Sequence, residues 1–302
     1  MELGMVGLGK MGANMTLRLV RGGHRVVGFA RTKAVVDSVV AQGALGAGSL
    51  PDLVRQLAPP RIVWLMIPSG APVDQTLEQL RPLLAAGDLV VDGGNSYYRD
   101  TLRRAKLVTE WGFRYVDVGT SGGIWGLDEG YSMMVGGDAA DVERIRPILE
   151  TLAPGPKLGW GRMGPVGSGH FVKMVHNGIE YGLMEAYAEG FAVLRAKTDF
   201  ALDLHQIADV WRYGSVIRSW LLELTEAALA ENPTLAGIEP WVADSGEGRW
   251  TVTEAMELNL PLPVITLALQ ARLRSREADP FAERLLAMMR NKFGGHEVKR
   301  ES

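Results

Sequence analysis

The sequence predicts an α/β fold, a doubly wound and mostly parallel sheet, followed by an all-α region. Three observations carry that expectation. An apolar strand at the N-terminus runs directly into a G-x-G-x-x-G turn and a helix. Short apolar runs then alternate with amphipathic stretches, which is the pattern of βα units. Beyond a Gly/Pro-rich passage, APGPKLGWGRMGPVGSG (153–169), only helical periodicity remains. The expected division falls near residue 165, giving regions 1–165 and 166–302.

Taken in order, residues 2–6 are a short apolar strand. Gly7-Leu8-Gly9-Lys10-Met11-Gly12 follows, then a helical pattern through Leu19 and a second strand in HRVVGFA (24–30). That length suits one βαβ unit. Gly7 permits the tight turn, Gly9 lets a pyrophosphate approach the backbone, and Gly12 lets the helix pack on the strand. The N–H groups opening the helix would face the phosphates. The motif therefore points to a Rossmann-type dinucleotide site in residues 1–165. After the second strand the chain reads Phe29-Ala30-Arg31-Thr32, with no carboxylate to bond a ribose 2′-hydroxyl. Arg31 can neutralise a 2′-phosphate and Thr32 can donate to it, so NADP is expected, with NAD as the second option. RIVWLMIP (61–68) and DLVVDGG (88–94) are the next strands, with a helix around 72–84 between them. Ligands gather at the carboxyl ends of such strands, which places Met66, Ile67, Pro68 and Asn95 with the cofactor. FRYVDVGTSGG (113–123) is a further strand. YSMMVGG (131–137) and PKLGW (156–160) read as a hairpin-like pair. No helix is expected directly after SGGIWG, leaving Ser121, Gly122 and Gly123 to line a cleft.

Helices are expected over 170–196, 203–212, 215–230, 252–258, 264–275 and 279–291. The first contains GHFVKMVHNGIEYG (169–182). Counted from Lys173, residues His176, Asn177, Glu180 and Tyr181 fall on one stripe of a helix, because the repeat is about 3.6 residues. Phe171, Val172, Val175, Ile179 and Leu183 collect on the other side. A solvated stripe would favour Glu, Lys, Gln and Arg. His, Asn and Tyr form helices less well, and Gly178 and Gly182 cost about 1 kcal/mol each relative to Ala. Helix stability has been given up for particular functional groups and for close backbone approach. The stripe would face the nicotinamide end of the first region.

Bulk properties narrow the class. The chain has 302 residues, 22% of them charged, with a net charge of −3, so nothing marks a nucleic-acid binder. It contains no cysteine, which excludes disulfides and thiol nucleophiles. The opening residues leave no room for a signal peptide and the longest apolar runs are too short to span a bilayer, so a cytoplasmic location and no membrane partner are expected. His170 and His176 are six apart, a spacing that does not set two metal ligands side by side on a helix, and no metal is expected.

The stretches GLGKMG, VVDGGNSYYRDT, GTSGGIWGLDEGYSMMVGG, GSGHFVKMVHNGIEYGLMEA, WRYGSVIRSWLLELT, DSGEGRWTVTEA and RNKFGGH resemble the short, roughly 300-residue type of decarboxylating 6-phosphogluconate dehydrogenase, within the β-hydroxyacid dehydrogenase superfamily. They span nearly the whole chain. The resemblance implies oxidation and decarboxylation of 6-phosphogluconate to ribulose 5-phosphate. It gives Lys173 the proton of the C3 hydroxyl and then the developing oxyanion, and Glu180 the protonation of C1. It assigns His176 and Asn177 to hydroxyls, and Asn95 with Ser121, Gly122 and Gly123 to the carboxylate end. Tyr181, Arg272, Arg290 and His296 would hold the phosphate, the last two from a neighbouring subunit, which implies a homo-oligomer, at least a dimer. Residues 166–302 would then serve substrate binding and oligomerisation.

One departure stands out. Larger members place a lysine and a threonine on a phosphate loop where this chain has Ser245-Gly246-Glu247-Gly248-Arg249. Glu247 would repel a phosphate if it pointed inward, so Ser245 or Arg249 would have to hold it, if the loop does so at all. Two other readings compete. A non-decarboxylating β-hydroxyacid dehydrogenase, acting on 3-hydroxyisobutyrate or tartronate semialdehyde, would keep Lys173 and Asn177 and need no acid at Glu180. A non-catalytic dinucleotide sensor would need neither Lys173 nor Glu180.

Overall fold

The computed structural model describes residues 1–300. The chain divides into two compact units, one through Asn177 and one from Gly178 onward. The first unit runs β1 (Glu2–Val6), α1 (Lys10–Arg21), β2 (Arg25–Phe29), α2 (Lys33–Val40), β3 (Leu45–Gly46), α3 (Leu50–Arg55), β4 (Ile62–Leu65), α4 (Ala71–Leu80), β5 (Leu89–Asp92) and α5 (Tyr98–Glu110). It continues with β6 (Arg114–Ser121), α6 (Gly126–Glu129), β7 (Ser132–Gly136), α7 (Ala139–Arg144), α8 (Arg146–Leu152) and β8 (Trp160–Gly164).

The strands form one sheet in the order β3-β2-β1-β4-β5-β6-β7-β8. All neighbouring pairs are parallel except β6 with β7. The first six have the doubly wound order, with the chain reversing direction across the sheet between β1 and β4. Both faces are covered. Val63, Leu65 and Val90 belong to one apolar cluster, while their strand neighbours Trp64, Leu89 and Val91 belong to the other. Side chains alternate faces along a strand, so continuous apolar runs such as IVWL and LVV require a layer on each side.

Two local expectations are corrected. β7 and β8 are parallel, so they are not a hairpin, and the second strand is 160–164 rather than 156–160. The connection holds α7 and α8, enough chain for a crossover. A helix does follow SGGIWG: a 3₁₀ turn over Gly123–Trp125 leads straight into α6. Gly122 and Gly123, at φ +131° and +52°, turn the chain sharply enough to start it. β3 and α3 were not legible as separate elements, being two and six residues long.

The long helix α9 (Ser168–Ala196) crosses from the first unit into the second. The second unit continues with α10 (Leu204–Arg212), α11 (Trp220–Glu231), α12 (Glu247–Glu257), α13 (Pro263–Arg274) and α14 (Phe281–Gly294). Asp203 and Ser219 cap α10 and α11, accepting from Gln206 and Leu222 backbone N–H groups. The Ser219 cap starts α11 five residues later than periodicity suggested. One small core joins Phe191, Ala208, Leu222 and Leu229, and a second joins Tyr181, Ala268 and Leu269. Among the described residues no helix is long and apolar enough to cross a membrane.

Candidate active site

The glycine turn between β1 and α1 has the shape its sequence implies. Gly7 has φ +97°, and a Cβ there would lie 2.3 Å from the Met66 carbonyl oxygen. A Cβ on Gly12 would lie 2.0 Å from the Gly7 carbonyl oxygen, so α1 can start here only without a side chain. Gly9 is different, because a Cβ on it would meet nothing within 4 Å. The backbone at the helix start therefore faces open space. No side chain caps α1, so its first-turn N–H groups remain available to an anion. This cradle fits a dinucleotide pyrophosphate. Leu8 is buried beneath it, Met11 is half-buried and Lys10 is exposed.

The adjoining strand ends close on the same place. The Met66 N–H donates to the Val6 carbonyl (2.7 Å), and Met66 and Ile67 are half-buried while Pro68 is exposed. A Cβ on Gly94 would lie 2.9 Å from the Ile67 carbonyl oxygen. Asn95 is exposed between buried Gly94 and Ser96. Past β2, Ala30 is half-buried, and Arg31 and Thr32 are exposed. Thr32 sits at the N-cap of α2 without a capping side-chain bond.

Lys173 is 7% exposed. Its helix comes so near β6 that a Cβ on Gly119 would lie 2.3 Å from the Lys173 Cβ and 2.8 Å from the Gly169 carbonyl oxygen. Lys173 Nζ is 3.3 Å from His176 Nδ1, which is 3.0 Å from Asn177 Oδ1. Ser121 Oγ is 3.5 Å from His176 Nε2. The structure thus brings Ser121, Lys173, His176 and Asn177 into one cluster, beside Gly122 and Gly123. His176 Nδ1 cannot donate to Asn177 and accept from Lys173 at once. Glu180 is half-buried seven residues along, about 10 Å up the same helix.

The faces of α9 are not buried as a simple amphipathic reading suggests. Lys173 and His170 are buried, while Ile179 and Leu183 from the apolar side are 52% and 45% exposed. His170 takes no part in the cluster, and its Nδ1 lies 2.7 Å from Thr101 Oγ1.

Within the second unit, Tyr181 is buried and its hydroxyl donates to Asp244 Oδ1 (3.2 Å). Burial pushes that hydroxyl above its ordinary pKa, opposed by the nearby Ser245 hydroxyl and the Arg272 charge. The Arg272 guanidinium lies 3.5 Å from the Tyr181 ring centroid. Glu247 is buried and accepts from Ser245 Oγ (2.6 Å). Arg249 Nε donates to Asp244 Oδ2 (2.5 Å). Ser245 thus gives its single O–H to Glu247, whereas the Asp244 bond uses the Nε–H of Arg249, a half-exposed guanidinium that carries four further N–H donors. Arg290 and His296, at the end of α14 and just past it, are exposed.

Asp117 was missed by the sequence reading. It is fully buried in β6, and its two oxygens accept from the Gly167 and His170 backbone N–H groups (2.7 and 2.8 Å). It thereby caps α9 from another element. Burial raises its pKa, opposed by the His170 charge and those two bonds. The available signal was a lone carboxylate inside the otherwise apolar YVDVG.

Comparison with known proteins agrees with this geometry. Residues 2–165 match the family model described as the NAD binding domain of 6-phosphogluconate dehydrogenase, and residues 169–292 match that for its C-terminal domain. An NAD(+)-dependent, decarboxylating 6-phosphogluconate dehydrogenase of Haloferax volcanii is 45% identical over 302 residues, covering 100% of this chain and 99% of its own. A decarboxylating 6-phosphogluconate dehydrogenase of Synechococcus elongatus is 38% identical over 91% of this chain and 61% of its own. The chain therefore spans the whole of the short relative and about three fifths of the longer one. The solved 6-phosphogluconate dehydrogenase of Plasmodium falciparum, described as apo and in complex with its cofactor NADP+ and its substrate 6-phosphogluconate, superposes with a TM-score of 0.84 at 30% identity. That match covers 100% of this chain and 66% of the other. By fold, cradle and lysine helix, and by both halves of its sequence, the chain belongs to the 6-phosphogluconate dehydrogenase family.

Proposed function

We propose that this protein oxidatively decarboxylates 6-phosphogluconate to ribulose 5-phosphate and carbon dioxide, with NADP as the acceptor and NAD as the second option. The observation that carries the reading is one helix bearing Lys173, buried in a cluster with Ser121, His176 and Asn177, and Glu180 two turns on. A non-decarboxylating relative has no use for the second group. Region 1–165 serves the dinucleotide, and region 166–302 serves the substrate and assembly.

The dinucleotide is held by Gly7 to Gly12, with Met66, Ile67, Pro68 and Asn95 flanking it and Ala30, Arg31 and Thr32 at its adenosine end. Bound there, it would supply the hydride acceptor. Lys173, as the neutral amine, takes the proton of the C3 hydroxyl. In the resulting 3-keto acid the C1–C2 bond breaks, carbon dioxide leaves, and the bonding pair passes into the C2–C3 enediol. The Lys173 ammonium hydrogen-bonds and protonates the oxygen on which charge develops. Glu180 gives a proton to the former C2, which becomes C1 of the product, while Lys173, again the neutral amine, takes the proton of the C3 hydroxyl as the ketone forms. The C3 carbonyl is the electron sink, so the residues named suffice for the proton transfers. Asn95, Ser121, Gly122 and Gly123 hold the carboxylate end, and His176 and Asn177 hold hydroxyls.

Tyr181 and Arg272 receive the phosphate, completed by Arg290 and His296 of a second copy. Exposed Phe281, Leu286 and Met289 on α14, and exposed Ile179 and Leu183 on α9, support a homo-oligomer, at least a dimer. A cytoplasmic location is in keeping with the absence of cysteine.

The test is reduction of NADP and of NAD with 6-phosphogluconate and with gluconate, following carbon dioxide in parallel. Stoichiometric carbon dioxide from 6-phosphogluconate is expected. Lys173→Met should lower both steps by at least about a thousandfold while dinucleotide binding persists. Glu180→Gln should slow proton incorporation at C1. Reduction without carbon dioxide would move the chain to the non-decarboxylating reading.

A further inference from the structure

Arg104, in α5, is 0% exposed, an uncommon position for a guanidinium. Its donors are divided between two loops. Nε and Nη2 reach both oxygens of Asp74 (2.9 and 3.2 Å), and Nη2 also donates to the Gly70 carbonyl (3.0 Å). Those partners lie just after β4 and in the first turn of α4. On its other side Nη1 lies 3.4 Å from Ser96 Oγ and 3.9 Å from Asp92 Oδ2, at the end of β5. Ser96 Oγ donates to Asp92 Oδ2 (2.8 Å), which also accepts from the Tyr115 hydroxyl (3.1 Å). Asp92 Oδ1 accepts from the Gly94 N–H (3.2 Å).

The two loops so joined are the one that begins at Met66-Ile67-Pro68 and the one that carries Asn95. Asn95 is exposed, but Gly94 and Ser96 on either side are buried and both are tied to Asp92. Its side chain is presented by a turn pinned at both shoulders. Asp74 and Asp92 lie 18 residues apart in sequence, on separate βα units, and the Arg104 fork spans them. A buried ion pair is weak evidence for a stabilising role, because desolvation offsets much of the attraction. It does fix geometry: a planar guanidinium bonded along two edges admits one separation of its partners.

We propose that Arg104 is a positioning residue that sets the 66–70 loop and Asn95 at a fixed separation, and so couples cofactor placement to substrate placement through the chain Asp74–Arg104–Ser96/Asp92. It touches neither ligand. The assignment rests on the proposed role of Met66, Ile67, Pro68 and Asn95 as ligand contacts.

A tether broken at either link is broken, and this separates the proposal from simple stabilisation. Asp74→Asn, Ser96→Ala, their double variant and Arg104→Lys would be compared for thermal midpoint and for two Michaelis constants, that of the sugar-acid substrate and that of the dinucleotide. Asp74 is 36% exposed and Ser96→Ala removes one hydroxyl, so these two changes spare the fold even if Arg104→Lys does not. Each single change should raise both Michaelis constants and lower kcat/KM about tenfold. The double variant should be no worse than the worse single, and Arg104→Lys, which keeps the charge without the fork, should resemble the double. Single effects that multiply in the double, or a lowered midpoint with both Michaelis constants unchanged, would overturn it. If the unsubstituted protein does not turn over 6-phosphogluconate, the functional reading fails by itself. Dinucleotide titration by fluorescence then decides the positioning claim: at least threefold weaker binding in both single variants supports it, and unchanged binding in either overturns it.

Discussion

Lys173 shows how a residue's environment is made by neighbours that do no chemistry. Gly119 allows its helix to sit against β6, and His176 Nδ1 at 3.3 Å gives the amine a partner. Residue type and spacing were enough to single out Lys173, His176 and Asn177. They were not enough for Asp117, whose partners Gly167 and His170 lie 50 and 53 residues away. The same holds for Glu247. Its sequence neighbours suggested repulsion of a phosphate, whereas its side chain is buried and occupied by Ser245. Arg31 is the residue we propose as the determinant of cofactor choice. It follows β2 with no carboxylate nearby in sequence and is exposed. Arg31→Ser should weaken NADP by about tenfold or more and leave NAD within about twofold, since one charge-assisted contact is worth about 1.5–3 kcal/mol. Titration of both dinucleotides against the variant checks this, and equal weakening would remove the NADP preference.

Among elements, α9 was the most legible and also the most misleading. Its length and stripe were readable, since a pattern sustained over 29 residues leaves little ambiguity. Which side it buries was not, because that depends on glycines in other elements. Gly119 and Gly136 in β6 and β7 and Gly169 in the helix itself remove the side chains that would hold the surfaces apart. Gly178 repeats the device further along, where a Cβ would lie 2.8 Å from Thr251 Cγ2. Gly119→Ala should therefore cost about 1–3 kcal/mol of stability through overpacking. It should also lower kcat by about tenfold or more, by moving Lys173. Chemical denaturation and steady-state kinetics on the same preparation would test both. A full kcat would mean that the contact has no bearing on the lysine. β8 failed for a related reason: a strand of half-exposed and exposed residues, WGRMG, has no apolar run to announce it.

The whole molecule carries its charges in networks that respond to acid. Desolvation would raise the Asp244 carboxyl, but bonds from Arg249, the Gly246 N–H and Tyr181 outweigh it and hold the pKa below 3.8. Asp74 is likewise held down, with Arg104 and Arg103 outweighing its desolvation. A depressed folded pKa contributes stability that is complete above 3.8 and is lost as pH falls through the lower folded value. Asp117 runs the other way: its raised pKa makes its contribution grow as pH falls toward 3.8. Comparing Asp244→Asn with the unsubstituted protein isolates one group. The variant should be less stable by about 2 kcal/mol near neutrality, the worth of a charge-assisted hydrogen bond. The gap should narrow as pH is taken below 3.8 and falls through the lower folded value, where Asp244 protonates in the folded protein. Thermal midpoints over that range measure it, and a gap independent of pH would disconnect Asp244 from acid stability.

Local patterns were enough to establish the βα alternation, the glycine cradle, the absence of a carboxylate after β2, the helical second half and the lysine stripe. Each depends on periodicity or on a few adjacent residues, and so survives without knowledge of what packs where. Strand order, the antiparallel β6–β7 step, the buried face of α9, the Asp117 cap, the Arg104 contacts and the burial of Glu247 emerged only on folding. Most of these join groups well separated in sequence through a contact only a few ångströms wide, and such a pairing leaves no periodic trace in the chain that makes it.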